Sequence, residues 1–206
     1  NQTIDRIVWP ASLQQLRFGD NFNQPIDRVA WPASLKQLIF GWRFNQPIHR
    51  VVWPASLQEL KLGYGFNQPM DEIAWPPLLQ QIDFGSKFVK RHSRDRLRVA
   101  WPPSLHQLAF GHRFDQPVVG VAWPMSLTTI FFGPGFNQPI DGVLWPESLQ
   151  KLDLGWNFSQ PIDGVEWPAS LKLLCLQGLF DQPIDMISWP VSLEQLSLGY
   201  SFSRPL

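Results

Sequence analysis

Residues 31–52 read W-P-A-S-L-K-Q-L-I-F-G-W-R-F-N-Q-P-I-H-R-V-V, and the chain repeats this sentence, with changes, from one end to the other. Counting the tryptophan as position 1, the Trp-Pro pair returns at Trp9, Trp31, Trp53, Trp75, Trp101, Trp123, Trp145, Trp167 and Trp189. The step is 22 residues throughout, except for 26 between Trp75 and Trp101. A fixed period of this length marks a solenoid, in which each unit buries its apolar face only against its neighbours. Periodicity therefore overrides the prior of one or two globular domains that 206 residues would suggest.

Positions 5–10 follow the pattern L-x-x-L-x-[FL], as in Leu35 to Phe40. Positions 8 and 10 point inward while 7 and 9 point outward, the period-two pattern of a short strand. Glycine follows at position 11 in eight of nine units, Gln177 being the exception, and suits a chain leaving a strand through a tight bend. Proline stands at positions 2 and 17, and these two slots hold seventeen of the twenty prolines. Lacking an amide hydrogen and restricting its predecessor, proline keeps the return limb extended or turn-like, with little or no α-helix. Seven apolar positions per unit (1, 5, 8, 10, 14, 18 and 21) stack into continuous ladders. The expectation is a mainly β repeat solenoid with a parallel sheet, one unit of nine repeats over residues 1–206. The Trp ladder calls for an acceptor for each indole N–H, expected to be a backbone carbonyl of the next turn. The short polar residues at position 15 (Asn, or Asp115, Ser159, Asp181 and Ser203) are expected to satisfy turn backbone groups. The glutamines of position 7 are expected to bond rung to rung.

L-x-x-L-x-L within a unit of 20–29 residues is the core of the leucine-rich repeat. With P-x-S-L before it and G-x-x-F-N-Q-P-I after it, the chain resembles the 22-residue FNIP-type variant over essentially its whole length. Tryptophan replaces the leucine more usual before the first proline, and the stretch from Val89 to Leu97 breaks one unit. The resemblance implies a curved, right-handed superhelix with the sheet on its concave side, and a binding role. Some relatives carry an F-box and act as substrate adaptors of larger proteins; no such segment is visible in these residues.

What every unit shares serves folding, so individual function sits where the units differ. Position 12 runs Asp20, Trp42, Tyr64, Ser86, His112, Pro134, Trp156, Gly178 and Tyr200. It holds both tyrosines and the only two tryptophans outside the Trp-Pro pairs. Amphipathic aromatics on a rigid rim are the usual anchors of protein recognition; the competing reading makes them lids over the phenylalanine ladder. Position 9, outward in mid-strand, runs Arg17, Ile39, Lys61, Asp83, Ala109, Phe131, Asp153, Cys175 and Ser197. Mixed charge beside Ile39 and Phe131 suits a protein surface better than a phosphate backbone, which asks for one sign. The candidate partner-binding set is thus Trp42, Tyr64, His112, Trp156 and Tyr200 on the rim, with Arg17, Ile39, Lys61, Asp83, Phe131 and Asp153 on the face. A four-residue insertion falls within 87–98, where Lys87, Lys90, Arg91, Arg94, Arg96 and Arg98 face one acid, Asp95. It forms a candidate electrostatic contact for an acidic segment or a nucleic-acid backbone.

Elsewhere the charge excludes more than it suggests. Seventeen basic and seventeen acidic residues cancel, so no global field favours nucleic acid or anionic membrane. No apolar run reaches the ~20 residues of a membrane span. The single Cys175 excludes an internal disulfide framework and a cysteine-based zinc cluster, and leans toward a reducing, cytoplasmic setting. Motifs for metalloprotease, phosphate-loop or nucleophile-elbow chemistry are missing, and His49, His92, His106 and His112 occupy different slots. Asp83 and Asp153 lie three units apart, roughly 14 Å at sheet spacing, too far for paired-carboxylate hydrolysis. The expectation is a non-enzymatic scaffold without cofactor or metal that binds a protein. The alternative is a structural solenoid, monomeric or stacked end to end, and the chain reads as a window of a longer array without caps.

Overall fold

The computed structural model describes residues 2–70, 72–88 and 99–204. Among these residues each unit contributes one short strand and no helix. The strands are β1 (Gln15–Arg17), β2 (Gln37–Ile39), β3 (Glu59–Leu62), β4 (Gln81–Phe84), β5 (Gln107–Ala109), β6 (Thr129–Phe131), β7 (Lys151–Asp153), β8 (Leu173–Leu176) and β9 (Gln195–Leu198). They form one parallel sheet in sequence order, β1 to β9. Like pairs with like: Gln15 sits beside Gln37, Leu16 beside Leu38, Arg17 beside Ile39. The register survives the insertion, because Gln81 pairs Gln107 across 26 residues and Phe88 still stacks on Phe114 at 6.1 Å.

Among the described residues the units are closed by three kinds of β-turn. Leu35 N–H donates to Pro32 O, Phe44 N–H to Gly41 O and Val51 N–H to Ile48 O, and equivalents recur along the chain. Proline at position 2 offers only its carbonyl, which is all the first of these turns requires of it. The units are then laced by side chains. Ser34 Oγ donates to Leu13 O at 2.7 Å, a bond repeated by Ser56, Ser104, Ser126, Ser148, Ser170 and Ser192. At position 15, Asn23 Oδ1 accepts both the Asn45 N–H and the Gln46 Nε2–H, each at 2.9 Å. Asp115 keeps the same acceptor role toward Asn137 and Gln138. The expected backbone-satisfying role of position 15 is therefore present. The glutamine ladder is not: among the described residues no hydrogen bond joins the side chains of Gln15, Gln37, Gln81, Gln107 and Gln195. Position 7 faces outward, so water meets these amides and folding does not require the ladder.

Curvature follows from the sizes of the rungs. Parallel strands repeat about every 4.8 Å, whereas the position-14 phenylalanines, an unbroken column from Phe22 to Phe202, repeat at 6.1–6.3 Å. The indoles are spaced still more widely in places, with Trp31 and Trp53 6.5 Å apart. Wide rungs behind a narrow sheet bend the stack, leaving the sheet on the concave side. The seven inward positions form one core, in which Leu38, Phe44, Leu57 and Phe136 have no exposed surface.

One expectation fails. The indole nitrogens of Trp9, Trp31, Trp53, Trp75, Trp101, Trp123, Trp145 and Trp167 are buried without a hydrogen-bond acceptor. No carbonyl of the stacked turns lies within hydrogen-bonding geometry of these nitrogens. Where they meet, the rings instead pack parallel to each other and edge-on to the position-10 phenylalanines, as Trp123 does to Trp101, Trp145, Phe110 and Phe132.

Candidate functional site

Position 9 faces outward along the whole sheet, while its neighbours at 8 and 10 are buried from β2 to β8. Leu60 and Leu62 are buried on either side of exposed Lys61, and Ile82 and Phe84 flank exposed Asp83. Arg17, Ile39, Phe131 and Asp153 occupy the same outward register. Sheet pairing puts Lys61 beside Asp83, and Phe131 beside Asp153. Lys61 Nζ also lies 2.9 Å from a Glu59 carboxylate oxygen.

The rim follows from the bend that glycine makes at position 11. A Cβ on Gly41, Gly63, Gly85 or Gly111 would overlap the carbonyl of the glycine one unit earlier. The turns therefore nest, and the position-12 residues follow them just past the ends of the strands. Trp42 and Tyr64 lie face to face, with centroids 3.8 Å apart and planes 9° apart. Lys87 adds its ammonium group 5.8 Å from the Tyr64 ring centre, within cation–π range. A second plate forms from Trp156 and Tyr200, 5.3 Å apart although two units separate them. Gly178 makes this possible. Its φ is +63°, and a Cβ there would strike the Trp156 carbonyl and indole. His112 is exposed between the two plates. Next to the first plate, Ile39, Lys61, Tyr64, Asp83, Ser86 and His112 help line a depression of about 370 Å³.

The lid reading can be weighed directly. Trp42 is 56% exposed and Tyr200 74%, so these rings cover little. Phe114, Phe136 and Phe180 are fully buried although their units carry His112, Pro134 and Gly178 at position 12. The phenylalanine ladder seals itself.

The concave face is also electrostatically uncomfortable. Partial desolvation against the neighbouring strands pushes the Asp83 carboxyl above its ordinary range although the residue stays open to solvent, with Lys61 opposing and Glu59 adding to the shift. Burial does the same to Asp153, against the Gly155 N–H that donates to its Oδ1. A raised carboxylate contributes stability only while protonated, so these groups favour the fold at low pH and weigh against it once pH rises through their folded pKa values. A partner cation would relieve both. Cys175 sits half-buried beside Asp153 with its thiol pushed up, first by burial and then by that carboxylate. The expected outcome is slow labelling by a maleimide at neutral pH in the folded protein, accelerated several-fold by Asp153→Asn, since the thiolate is the nucleophile. Complete protection, or an unchanged rate in the variant, would contradict the outward register of this strand.

Of the insertion, Lys87 lies in the rim through Tyr64; Lys90, Arg91, Arg94, Arg96 and Arg98 lie outside the described residues. Two features went unread in the sequence. One is the Lys87–Tyr64 pairing, visible only as position 13 following position 12 of the previous unit. The other is the task of Gly178, signalled by the one unit in which glycine moves from position 11 to 12.

Comparison with known proteins agrees with this architecture. A solved structure described as CroV588, "a novel circular LRR protein structure", superposes on 98% of the chain with a TM-score of 0.88 and 39% identity. The chain spans 29% of that protein's length. None of the curated proteins compared matches the chain. The FNIP Repeat profile matches residues 1–43, 44–87 and 136–176, more than half of the chain. With the 22-residue unit, the sequential parallel sheet and the nested glycine turns, this chain belongs to the FNIP repeat family of leucine-rich-repeat solenoids.

Proposed function

We propose that the protein is a non-enzymatic recognition scaffold that binds a protein partner through its concave face and aromatic rim. The observation that carries this reading is the two ring pairs, Trp42 with Tyr64 and Trp156 with Tyr200, of which Trp42, Trp156 and Tyr200 are exposed over a fully buried phenylalanine column. Such rings offer large, rigid contact area at low entropic cost, and the mixed charges of position 9 set register and exclude wrong partners. Each of Trp42→Ala, Tyr64→Ala and Trp156→Ala is expected to weaken partner binding by about 1–3 kcal/mol while leaving the melting transition nearly unchanged. The measurement is calorimetric titration with the partner recovered from the source cell. Normal binding by melted-down variants would instead support the lid reading.

A second reading, an arc within a closed ring or end-to-end assembly, is favoured by the superposition on a circular protein. Light scattering across a concentration series tests the assembly: rings or concentration-dependent rods support it, and a monomer at every concentration rules out end-to-end assembly of this chain.

A further inference from the structure

The edge of the solenoid where the strands begin lies across the sheet from the aromatic rim and takes no part in the proposed recognition surface. Positions 22 and 3 flank each tryptophan there. Position 22 is alanine, valine or leucine in seven of nine units, and position 3 is alanine, valine, proline or methionine in eight. Many are open to solvent, Val8, Val52 and Leu144 among them. Two acids break this apolar ribbon, and they fall at one place. Glu147 and Glu166 both line an open cleft of about 720 Å³ between Trp145 and Trp167, with Val143 and Leu144 on its wall.

The indole column is interrupted at three steps among the described residues, Trp53 to Trp75, Trp75 to Trp101 and Trp145 to Trp167, and the cleft opens at the last of these. Trp101, Trp123 and Trp145 stack at 6.2–6.3 Å, and Trp167 stacks on Trp189 at 6.4 Å. Among the described residues no ring contact joins Trp145 to Trp167. Both glutamates are exposed, no lysine, arginine or histidine lines the cleft, and neither glutamate is ion-paired among the described residues. An apolar, aromatic groove with two uncompensated carboxylates is complementary to one kind of group, a cation on an apolar stem.

We propose that this cleft docks a lysine or arginine side chain of a protein partner. The methylene stem lies along Leu144 and the indoles, as long basic side chains do on apolar surface. The charged head meets Glu147 and Glu166, and the half-buried Trp167 ring adds cation–π attraction. This second contact does not rest on the concave-face reading, since it uses none of the same residues.

The test is ¹⁹F NMR of the 5-fluorotryptophan-labelled chain, with Trp145 and Trp167 assigned by single Trp→Phe variants. n-Butylammonium serves as the probe and n-butanol as its neutral counterpart. Saturable shifts at Trp145 and Trp167 are expected with the amine and not with the alcohol. The double variant Glu147→Ala/Glu166→Ala installs the residue most common in both columns. It is expected to fold normally and to weaken the amine by about two- to thirtyfold. Shifts produced equally by n-butanol, spread evenly over all the tryptophans, or unchanged in the double variant would overturn the proposal. A lysine-containing peptide that shifts only the rim tryptophans, Trp42 and Trp156, would also overturn it, while leaving the concave-face reading standing.

Discussion

Trp123→Ala is expected to lower the unfolding free energy by about 3–5 kcal/mol, and Trp123→Phe by only about 1 kcal/mol or less. The alanine variant empties a rung held on four sides, by Trp101 and Trp145 in the stack and by Phe110 and Phe132 at its edge. A solenoid cannot close such a gap from outside its own turn, because each unit touches only its neighbours. Phenylalanine keeps most of the packed surface and removes a buried N–H that has no acceptor. Leaving such a donor unsatisfied costs about 1–3 kcal/mol, which offsets the carbons lost. Urea unfolding of the three proteins, read at constant slope, makes the comparison. Equal losses in the two variants would show that the indole N–H has a partner after all.

Gly63→Ala is expected to cost about 3 kcal/mol or more, although it adds a single methyl group. The new Cβ would overlap the carbonyl oxygen of Gly41, a backbone atom that can move only if the whole turn moves. Gly19→Ala is the control. No atom lies within 4 Å of its Cβ position, and alanine there is expected to be neutral or to stabilise by up to about 1 kcal/mol through the unfolded chain. The contrast isolates turn nesting from glycine's conformational freedom, since neither residue has a positive φ. Thermal melts of the two variants suffice, and equal melting temperatures would mean the turns are not nested as described.

These effects show which parts of the molecule a repeat makes legible. A column that is constant over nine units reports a contact made by every turn with the next, so strand, ladders, glycine bend and position-15 bonding could all be read from the period. The same logic misled where a column is constant for another reason. Glutamine recurs at position 7 without bonding to itself, and tryptophan recurs at position 1 for its ring, its N–H being tolerated. Distances between columns were beyond reach, because they depend on curvature. Nothing in the order of letters says that Trp42 and Tyr64 close to 3.8 Å while the phenylalanines behind them stand above 6 Å. Nor does it say that Trp156 crosses a glycine to meet Tyr200.

Photo-crosslinking from defined positions maps where a partner touches the solenoid. Benzoylphenylalanine at Trp42 or Trp156 places the probe on the concave rim, and at Val52 on the exposed opposite edge. In extract of the source cell one discrete protein adduct is expected, the same from both rim positions, absent from Val52 and lost when Ile39→Asp and Phe131→Asp are added. An adduct formed equally from Val52, or none from either rim position while the labelled protein remains folded, would contradict the concave-face reading.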